Sequence, residues 1–377
     1  MVLVLTFIVV VSLLIYGFLA WRPQEKDPPD FFVGVDAAYD DLNEIKNLVD
    51  EVSSYTNLFL VGSTGITHNE TELFDLCQFL HDRGLYFIIY DESPLRLHLL
   101  EEIEKRWGDH FLGLQYEDEL GGSQLDCQNH RPVEKADNYS DAATQFVEDV
   151  KTYLNFNLQS PGLLPSDFHL YTSDYALYWF DYQAGYDTIF AEFGWNYSRQ
   201  LNIALCRGAA TVQNKEWGAI ITWTYNHPPY IESGPELYQD MVLAYENGAK
   251  YVVIFDTNEE YTHGILQQEH LDAIKQFWKY TRDHPRNSQS SSHRVAYVIP
   301  QYYAYGFRGP QDKIWGLWEA DEFSERLCID LNNKIQQYNT FLDIVHNDGL
   351  DLNSTYSKYI FWNGTTYIHH NFSGIAF

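Results

Sequence analysis

The chain has 377 residues, with 53 acidic against 24 basic side chains and a formal net charge of −29. A hydrophobic content of 45% is enough for a buried core and excludes a disordered chain. A surface this negative repels phosphates, so no nucleic-acid partner is expected. We expect an acidic globular protein, 16% aromatic, that acts on a neutral or cationic ligand.

The N-terminal segment, Met1 to Trp21, contains no charged side chain and is almost continuously apolar. About 20 apolar residues are needed to span a bilayer. A cleaved signal peptide is the alternative, but the basic start and the small-residue cleavage site of such peptides are missing. We therefore expect a transmembrane anchor at residues 1–21, followed by a Pro-rich linker at residues 22–30.

Two features bear on which side of the membrane the chain lies. Arg22 and Lys26 follow the apolar segment, and by the positive-inside rule they would keep the rest of the chain in the cytoplasm. Asn-x-Ser/Thr glycosylation sequons indicate the exterior instead. They begin at Asn69, Asn138, Asn196, Asn353, Asn363 and Asn371. Because two charges are weak evidence about topology, we expect a single-pass protein of the cell membrane with an extracellular body.

Short apolar runs then recur along the chain, separated by segments of helical length. The runs are residues 31–36, 58–62, 86–90, 111–115, 168–171, 188–192, 218–223 and 251–255. Short apolar strands that alternate with helices indicate a parallel sheet covered by helices. Eight such units fit an α/β protein of the (β/α)8 TIM-type barrel class, since an open doubly wound sheet usually stops at five or six strands. We predict this barrel at residues 31–282.

A polar stretch at residues 283–292 predicts a linker to a second unit, a small α/β domain at residues 293–377. Its predicted strands are residues 294–299, 342–345 and 359–362, and its predicted helix is residues 318–338. An aromatic loop at residues 301–318 directly follows the first of these strands. This loop is either a flap that adds stacking surface over the barrel mouth or a part of the packing between the domains.

Acidic residues stand at most of the predicted strand ends, and Trp and Tyr are interleaved with them. In a (β/α)8 barrel the chemistry occurs at these carboxyl ends. Sugar rings stack their apolar faces on Trp and Tyr, and cleaving a glycosidic bond needs two carboxyl groups, one protonated and one ionised. The pattern therefore predicts a carbohydrate substrate, a hydrolytic reaction and no cofactor.

On the segment Tyr116 to Gly122, after the fourth predicted strand, the chain resembles the glycoside hydrolases built on (β/α)8 barrels. Many of these enzymes place an acid/base carboxylate there, which the resemblance implies for Asp118 and Glu119. A late-strand Trp that floors the sugar site in such enzymes corresponds to Trp223. The second unit looks like the Rossmann-like domain that follows the barrel in one β-galactosidase family.

The end of predicted strand seven departs from this resemblance. The largest clan of these enzymes has a nucleophilic Glu there, whereas this chain has Trp223 followed by Thr, Tyr and Asn. Glu192, which ends predicted strand six, is the best substitute, so retaining and inverting mechanisms both stay open. We expect Glu119 as acid/base, Glu192 as nucleophile or base, and Asp118 as a tuning residue. The residues expected to bind the substrate are Asp36, Trp195, Trp223, Tyr225, Asn226 and Asp256.

Other interpretations remain open for the same residues. The acids could form a solvated loop or tie loops together, and the Trp residues could belong to the core. A catalytically silent carbohydrate-binding or envelope structural protein is the second hypothesis. A metal-dependent polysaccharide deacetylase is the third, for which only His227 and His263 stand near strand ends. Because the chain shows no metal-ligand spacing, no metal is expected.

Overall fold

The computed structural model describes residues 29–92, 97–127, 129, 131–158, 168–286, 294–352 and 355–368. The described residues from Phe31 onward belong to one compact unit. Within the described ranges, no helix combines the length and the apolar character that crossing a membrane requires. The predicted transmembrane helix at residues 1–21 lies outside these ranges. The predicted fold class is corrected accordingly, because the barrel is present and the membrane helix is not supported.

Eight strands close into a parallel barrel, which confirms the predicted barrel architecture. Each strand pairs with the next one along the chain, and the last pairs with the first, as in Phe32 opposite Tyr251. The strands are β1 (Phe32–Ala37), β2 (Leu58–Val61), β3 (Tyr86–Asp91), β4 (Phe111–Tyr116), β5 (Leu170–Asp174), β6 (Thr188–Phe193), β7 (Glu216–Ile221) and β8 (Tyr251–Asp256).

Amphipathic helices cover the outside of the barrel. The first of them buries Ile45, Val49 and Val52 on one face, and Asp41 caps its start by accepting the backbone N–H groups of two following residues. The described helices of this part are α1 (Leu42–Val52), α2 (Thr64–Thr67), α3 (Glu70–Asp82), α4 (Leu97–Trp107), α5 (Leu120–Asp126), α6 (Tyr139–Leu158), α7 (Tyr178–Ala184), α8 (Arg199–Gln213), α9 (Gly234–Glu246) and α10 (Gln268–Asp283).

Every second strand residue points into the barrel and fills its interior. These buried side chains are Phe32, Leu58, Leu60, Ile88, Tyr171, Phe190, Ile220, Tyr251 and Val253. Because side chains alternate along a strand, Asp36 lies on the same face of β1 as Phe32, and Glu192 lies on the same face of β6 as Phe190. The alternation therefore places two carboxyl groups above the apolar interior, at the carboxyl ends of these strands.

A second sheet of four strands, in the order β10-β9-β11-β12, follows the barrel. Three strands are parallel, β9 (Val295–Ile299), β10 (Leu342–His346) and β11 (Lys358–Phe361), and the unpredicted β12 (Thr366–Ile368) is antiparallel. The helix α11 (Glu322–Tyr338) starts later than predicted, because Asp321 caps it by accepting the Ser324 N–H at 2.7 Å. The predicted Rossmann-like character is not confirmed, and the domain boundaries stay a prediction.

Helix α8 of the barrel packs against β10 of the second sheet. Gly208 makes this approach feasible, since a Cβ atom there would lie 2.3 Å from the carbonyl oxygen of Ile344. Asp343 on β10 is fully buried and accepts hydrogen bonds from Arg207 of α8 at 2.7 Å and from Arg294 at 2.9 Å. A buried ion-pair cluster therefore joins the barrel to the second sheet.

The aromatic loop at residues 301–318 packs at this interface. Tyr303, Tyr305 and Trp315 are buried, and the Trp315 ring contacts the rings of Phe146 and Phe180 at centroid distances of 5.9 and 4.7 Å. None of the loop residues lines the cavity described below. Of the two interpretations of this loop, interface packing agrees with the structure and the flap does not.

Candidate active site

A cavity of about 690 Å³ opens at the carboxyl ends of the barrel strands. Its carboxyl groups belong to Asp36, Asp40, Glu92, Asp118, Glu119 and Glu192. Its aromatic rings belong to Tyr90, Tyr175, Trp195, Tyr197, Trp223, Phe255 and Tyr261. Among the described residues, no Lys, Arg or His side chain lines this cavity. The site is therefore acidic and aromatic, as the sequence pattern predicts.

Most of the predicted site residues come together in this cavity. The residues that line it are Asp36, Asp118, Glu119, Glu192, Trp195 and Trp223. Tyr225 and Asn226 do not line the cavity, because they lie exposed on the loop after β7. Asp256 does not line the cavity either, because the alternation of side chains along β8 turns Phe255 inward and Asp256 outward. There the Asp256 carboxylate accepts the N–H of Ile265 at 2.5 Å. These three residues therefore lie outside the lining of the cavity, and their substrate contacts stay a prediction.

The carboxyl groups of Glu119 and Glu192 hydrogen-bond to each other. Glu192 is buried at the end of β6, where Asn202 holds its backbone by donating to its carbonyl oxygen at 2.6 Å. Burial raises the pKa of Glu192 well above its ordinary value, and the negative charge of Glu119 raises it further. Burial also raises the pKa of Glu119, but the hydrogen bond from Glu192 lowers it. Glu192 is the more deeply buried of the two, so burial favours its protonated form more strongly than that of Glu119.

The end of β5 holds the turn that carries Glu119. Glu119 adopts a left-handed backbone conformation with φ of 52°, and its N–H donates to the carbonyl oxygen of Ser173 at 2.8 Å. The buried carboxylate of Asp174 accepts the N–H groups of Gly121 and Gly122 at 2.6 and 2.9 Å. These bonds fix the backbone on both sides of the Glu119 side chain, so its position is set by β5 as much as by β4.

Gly122 allows this close packing, and replacing it by alanine is expected to lower the free energy of unfolding. A Cβ atom at Gly122 would lie 2.1 Å from the Tyr175 ring, and such crowding costs about 1–3 kcal/mol. That loss outweighs the gain in helix propensity, which is up to about 1 kcal/mol. Urea unfolding measures the difference. The control is Gly309→Ala, which has no atom within 4 Å of the added carbon. Equal stability of the two variants would contradict the expectation.

Two further acids of the cavity are also raised in pKa. Although Asp118 is exposed to solvent, desolvation at the cavity wall and the nearby charges of Glu119, Glu117 and Glu92 raise its pKa. Burial, followed by the charge of Asp118, raises the pKa of Asp36 well above its ordinary value. These shifts arise because the carboxyl groups crowd together with no cation among them.

Aromatic side chains form another part of the cavity lining. The Trp223 indole nitrogen donates to the carbonyl oxygen of Thr257 at 2.8 Å, and its ring packs near Phe255 and Tyr261. Trp195 is 39% exposed, and its backbone N–H donates to the carbonyl oxygen of Trp223 at 2.8 Å. A fixed indole and an exposed indole thus stand together at the mouth, where a sugar ring could stack.

The sequence-based reasoning missed Tyr90, Gln115 and Phe255 as lining residues. The strand period of two is the signal that could have found two of them. Tyr90 follows the inward-facing Ile88 by two residues, and Phe255 follows the inward-facing Val253 in the same way. Gln115 lacks such a signal, because the pairing of β3 with β4 shifts register between Phe87 and Ile88.

One group in the described part of the chain could hold a metal ion, and it lies away from the cavity. Ligand atoms of His81, Asp109 and His110 lie within 4.8 Å of one another, just before β3 and β4 and thus at the opposite end of the barrel. His227 and His263 do not converge with acids in this way. The deacetylase hypothesis therefore has no metal centre among the described residues of the barrel mouth.

Comparisons with known proteins find similarity in structure alone. No protein-family model matches the chain, and no curated protein sequence matches it. A GH20 catalytic module of the pneumococcal exo-β-D-N-acetylglucosaminidase StrH is 9% identical with a TM-score of 0.40, covering 69% of this chain and 84% of that one. A glycoside hydrolase family 5 enzyme from Prevotella bryantii is 11% identical with a TM-score of 0.38, covering 66% and 96%.

A third solved structure comes from an enzyme of a different class. Thiamine phosphate pyrophosphorylase from Pyrococcus furiosus is 8% identical with a TM-score of 0.37, covering 67% of this chain and 96% of that one. Structural neighbours of this chain therefore include glycoside hydrolases and an unrelated enzyme. At these scores the likenesses do not bear on the chemistry of this chain.

Proposed function

We propose that the protein hydrolyses glycosidic bonds of a polysaccharide or a glycoprotein glycan in this cavity. The observation that supports the proposal is the Glu119 and Glu192 pair, two carboxyl groups that meet in the cavity and whose pKa values are both raised. Glycosidic hydrolysis uses one protonated and one ionised carboxyl group. Trp195 and Trp223 beside the pair offer apolar faces on which sugar rings stack.

The greater burial of Glu192 supports giving it the protonated role. Glu192 is the proposed general acid, and Glu119 is the ionised partner, which reverses the roles expected from the sequence. Two hydrogen-bonded carboxyl groups are closer together than the roughly 5–5.5 Å of retaining pairs or the roughly 6.5–9.5 Å of inverting pairs. The substrate therefore has to part the two groups when it binds.

The proposed reaction starts from that separated pair. The proton of Glu192 passes to the glycosidic oxygen while the bond from this oxygen to the anomeric carbon breaks. Glu119 then either takes a proton from a water molecule whose oxygen bonds to the anomeric carbon, or bonds to that carbon itself. In the second case a water molecule, giving its proton to Glu192, later displaces Glu119 from the sugar. The separation that the pair adopts around the substrate decides between these two outcomes.

Assays of the full chain on a panel of dye-linked polysaccharides and glycoprotein glycans test the proposal. Sugar release is expected from the unchanged protein and is expected to fall sharply in Glu119→Gln and Glu192→Gln. Glu148→Gln is the matched control, because Glu148 lies exposed on α6, away from the cavity. Absence of cleavage across the panel, or equal rates in all variants, would contradict the proposal.

A catalytically silent carbohydrate-binding protein is the second candidate, and the short separation of the two carboxyl groups favours it. A glycan that binds between Trp195 and Trp223 without parting Glu119 and Glu192 would not be cleaved. In that case the glycan is expected to bind the Glu119→Gln and Glu192→Gln variants as tightly as the unchanged protein, with no sugar released.

The rate of hydrolysis is expected to follow a bell-shaped dependence on pH. Glu192 has to be protonated, so activity is lost as the pH rises through its raised pKa. Glu119 has to be ionised, so activity is lost as the pH falls through its pKa, which burial places above the usual value of about 4.3. A profile of kcat/KM against pH measures both limbs. An optimum below about pH 4.3 would contradict this assignment.

A further inference from the structure

We propose that the cavity selects a positively charged sugar, an amino sugar whose nitrogen carries no acetyl group and is present as an ammonium. The inference rests on the proposed function and names the substrate class of that same site. It is carried by the charges that line the cavity and by two hydrogen-bond acceptors in it that have no donor.

The charge of the lining is of one sign. Six carboxyl groups converge on the cavity from β1, β3, β4, β6 and the loops that follow them, and no cationic side chain lines it among the described residues. Arg308 reaches the rim near Tyr175, but its guanidinium donates to Asp126 at 2.7 and 2.8 Å and to Asp312 at 3.4 Å. His68 faces Asp91, outside the lining, at 3.4 Å. No described side chain balances the carboxyl groups of the lining, so a bound cation would favour their ionised forms and be attracted by them.

Two buried acceptors in the lining indicate where that ligand would bind. Asp36 Oδ1 and Gln115 Oε1 belong to side chains that are 4% and 3% exposed, and neither atom accepts a hydrogen bond within the described structure. The Gln115 amide nitrogen is already used, since it donates to Ser173 Oγ at 3.3 Å. A buried acceptor without a donor is costly, and a bound ligand can supply the donor.

An ammonium group fits either of these acceptors better than the other common substituents of a sugar do. It provides three donors, no acceptor and a positive charge. A hydroxyl group provides one donor and no charge, and an acetamido group adds a carbonyl oxygen that would face other acceptors. Gly62 leaves the space beside Asp36 open, because a Cβ atom there would lie 2.1 Å from Asp36 Oδ1.

Calorimetric titrations of the full chain, made with Glu192→Gln to prevent turnover, test the inference. The probes are β-1,4-linked tetramers of glucosamine, N-acetylglucosamine and glucose. The glucosamine tetramer is expected to bind at least about tenfold more tightly than the other two, a difference of about 1.4 kcal/mol. High salt is expected to reduce this preference, because salt screens charge interactions.

Two further variants locate the preference in the cavity. Asp36→Asn is expected to reduce the preference for the glucosamine tetramer. Glu92→Gln, which also removes a carboxyl group from the lining, is expected to reduce this preference too and replaces Asp36→Asn if that variant does not fold. Glu148→Gln is expected to leave it unchanged. Equal or weaker binding of the glucosamine tetramer, or no binding of any tetramer, would overturn the inference.

The same probes keep this inference apart from the proposed function. Preferential binding of the glucosamine tetramer without cleavage by the unchanged protein supports the charge preference and contradicts the hydrolase proposal. Cleavage of neutral and amino sugars at equal rates, with equal binding, supports the hydrolase proposal and overturns the charge preference.

Discussion

Replacing Asp343 by alanine is expected to lower the free energy of unfolding by about 3–5 kcal/mol. The carboxylate of Asp343 is fully buried between Arg207 of α8 and Arg294, at distances of 2.7 and 2.9 Å. Arg207 is only 4% exposed, so the substitution leaves a buried guanidinium with no carboxylate to balance its charge. Its remaining bonds to backbone carbonyl oxygens do not supply that charge.

Urea unfolding of the full chain measures this loss. The matched control is Asp75→Ala, which breaks an ion pair of 2.6 Å with Lys46 in which the carboxylate is 55% exposed. Exposed pairs contribute about 0–1 kcal/mol, so the control is expected to change stability little. Similar losses in the two variants would show that the Asp343 cluster does not hold the barrel and the second sheet together.

Glu192→Gln is expected to reduce the rate of glycoside hydrolysis by about 10²–10⁴-fold, the contribution of general acid catalysis. Glutamine keeps the size of the side chain and can still donate a hydrogen bond to Glu119, so the fold is expected to persist. It has no acidic proton to give to the leaving oxygen. The measurement is kcat/KM on the glycan that the unchanged protein cleaves.

Glu232→Gln is the control for this prediction. Glu232 is also buried and has a pKa raised to about 8, but it pairs with Arg199 outside the cavity. Hydrolysis by the folded control is expected to match that of the unchanged protein. A Glu192→Gln variant that retains most of the activity would remove Glu192 from the chemistry.

The barrel was predictable because each strand is a short apolar run and each strand ends close to its predicted position. Parallel strands are packed on both faces and are therefore apolar throughout, so a short apolar run recurs eight times along the chain. The carboxyl groups of Asp36 and Glu192 were predictable for a related reason, since both follow inward-facing residues at the carboxyl end of a strand.

The predicted residues that do not line the cavity have equally specific reasons for lying elsewhere. Asp256 stands at a strand end like Asp36, but it is one residue out of phase with the inward face of the strand. Its carboxylate accepts the backbone N–H groups of Ile265 and Leu266 in the following loop instead. Tyr225 and Asn226 follow β7 on an exposed loop whose path depends on contacts outside the strand, such as the Tyr225 N–H donating to Tyr230 at 2.8 Å. Side-chain alternation, counted together with strand ends, would have excluded Asp256 from the predicted lining, but it would not have excluded Tyr225 and Asn226.

The geometry of the acidic run at Glu117 and Glu119 could not be predicted at all. Tyr153, on α6, donates to the Glu117 carboxylate at 2.8 Å and draws this side chain away from the cavity. Asp174, at the end of β5, holds the backbone that presents Glu119 instead. Both contacts join residues far apart in the chain, so the spacing of the acids carries no signal for them.

Carbon-13 NMR of side-chain carboxyl groups, on the full chain labelled at glutamate, tests most directly whether Glu119 and Glu192 share a proton. One carboxyl signal is expected to stay protonated at about pH 7, well above the usual pKa of about 4.3, and to disappear in Glu192→Gln. Glu232, with its pKa of about 8, gives a second such signal that Glu192→Gln leaves in place. If no protonated signal is lost in Glu192→Gln, the shared proton does not exist and the proposed acid is wrong.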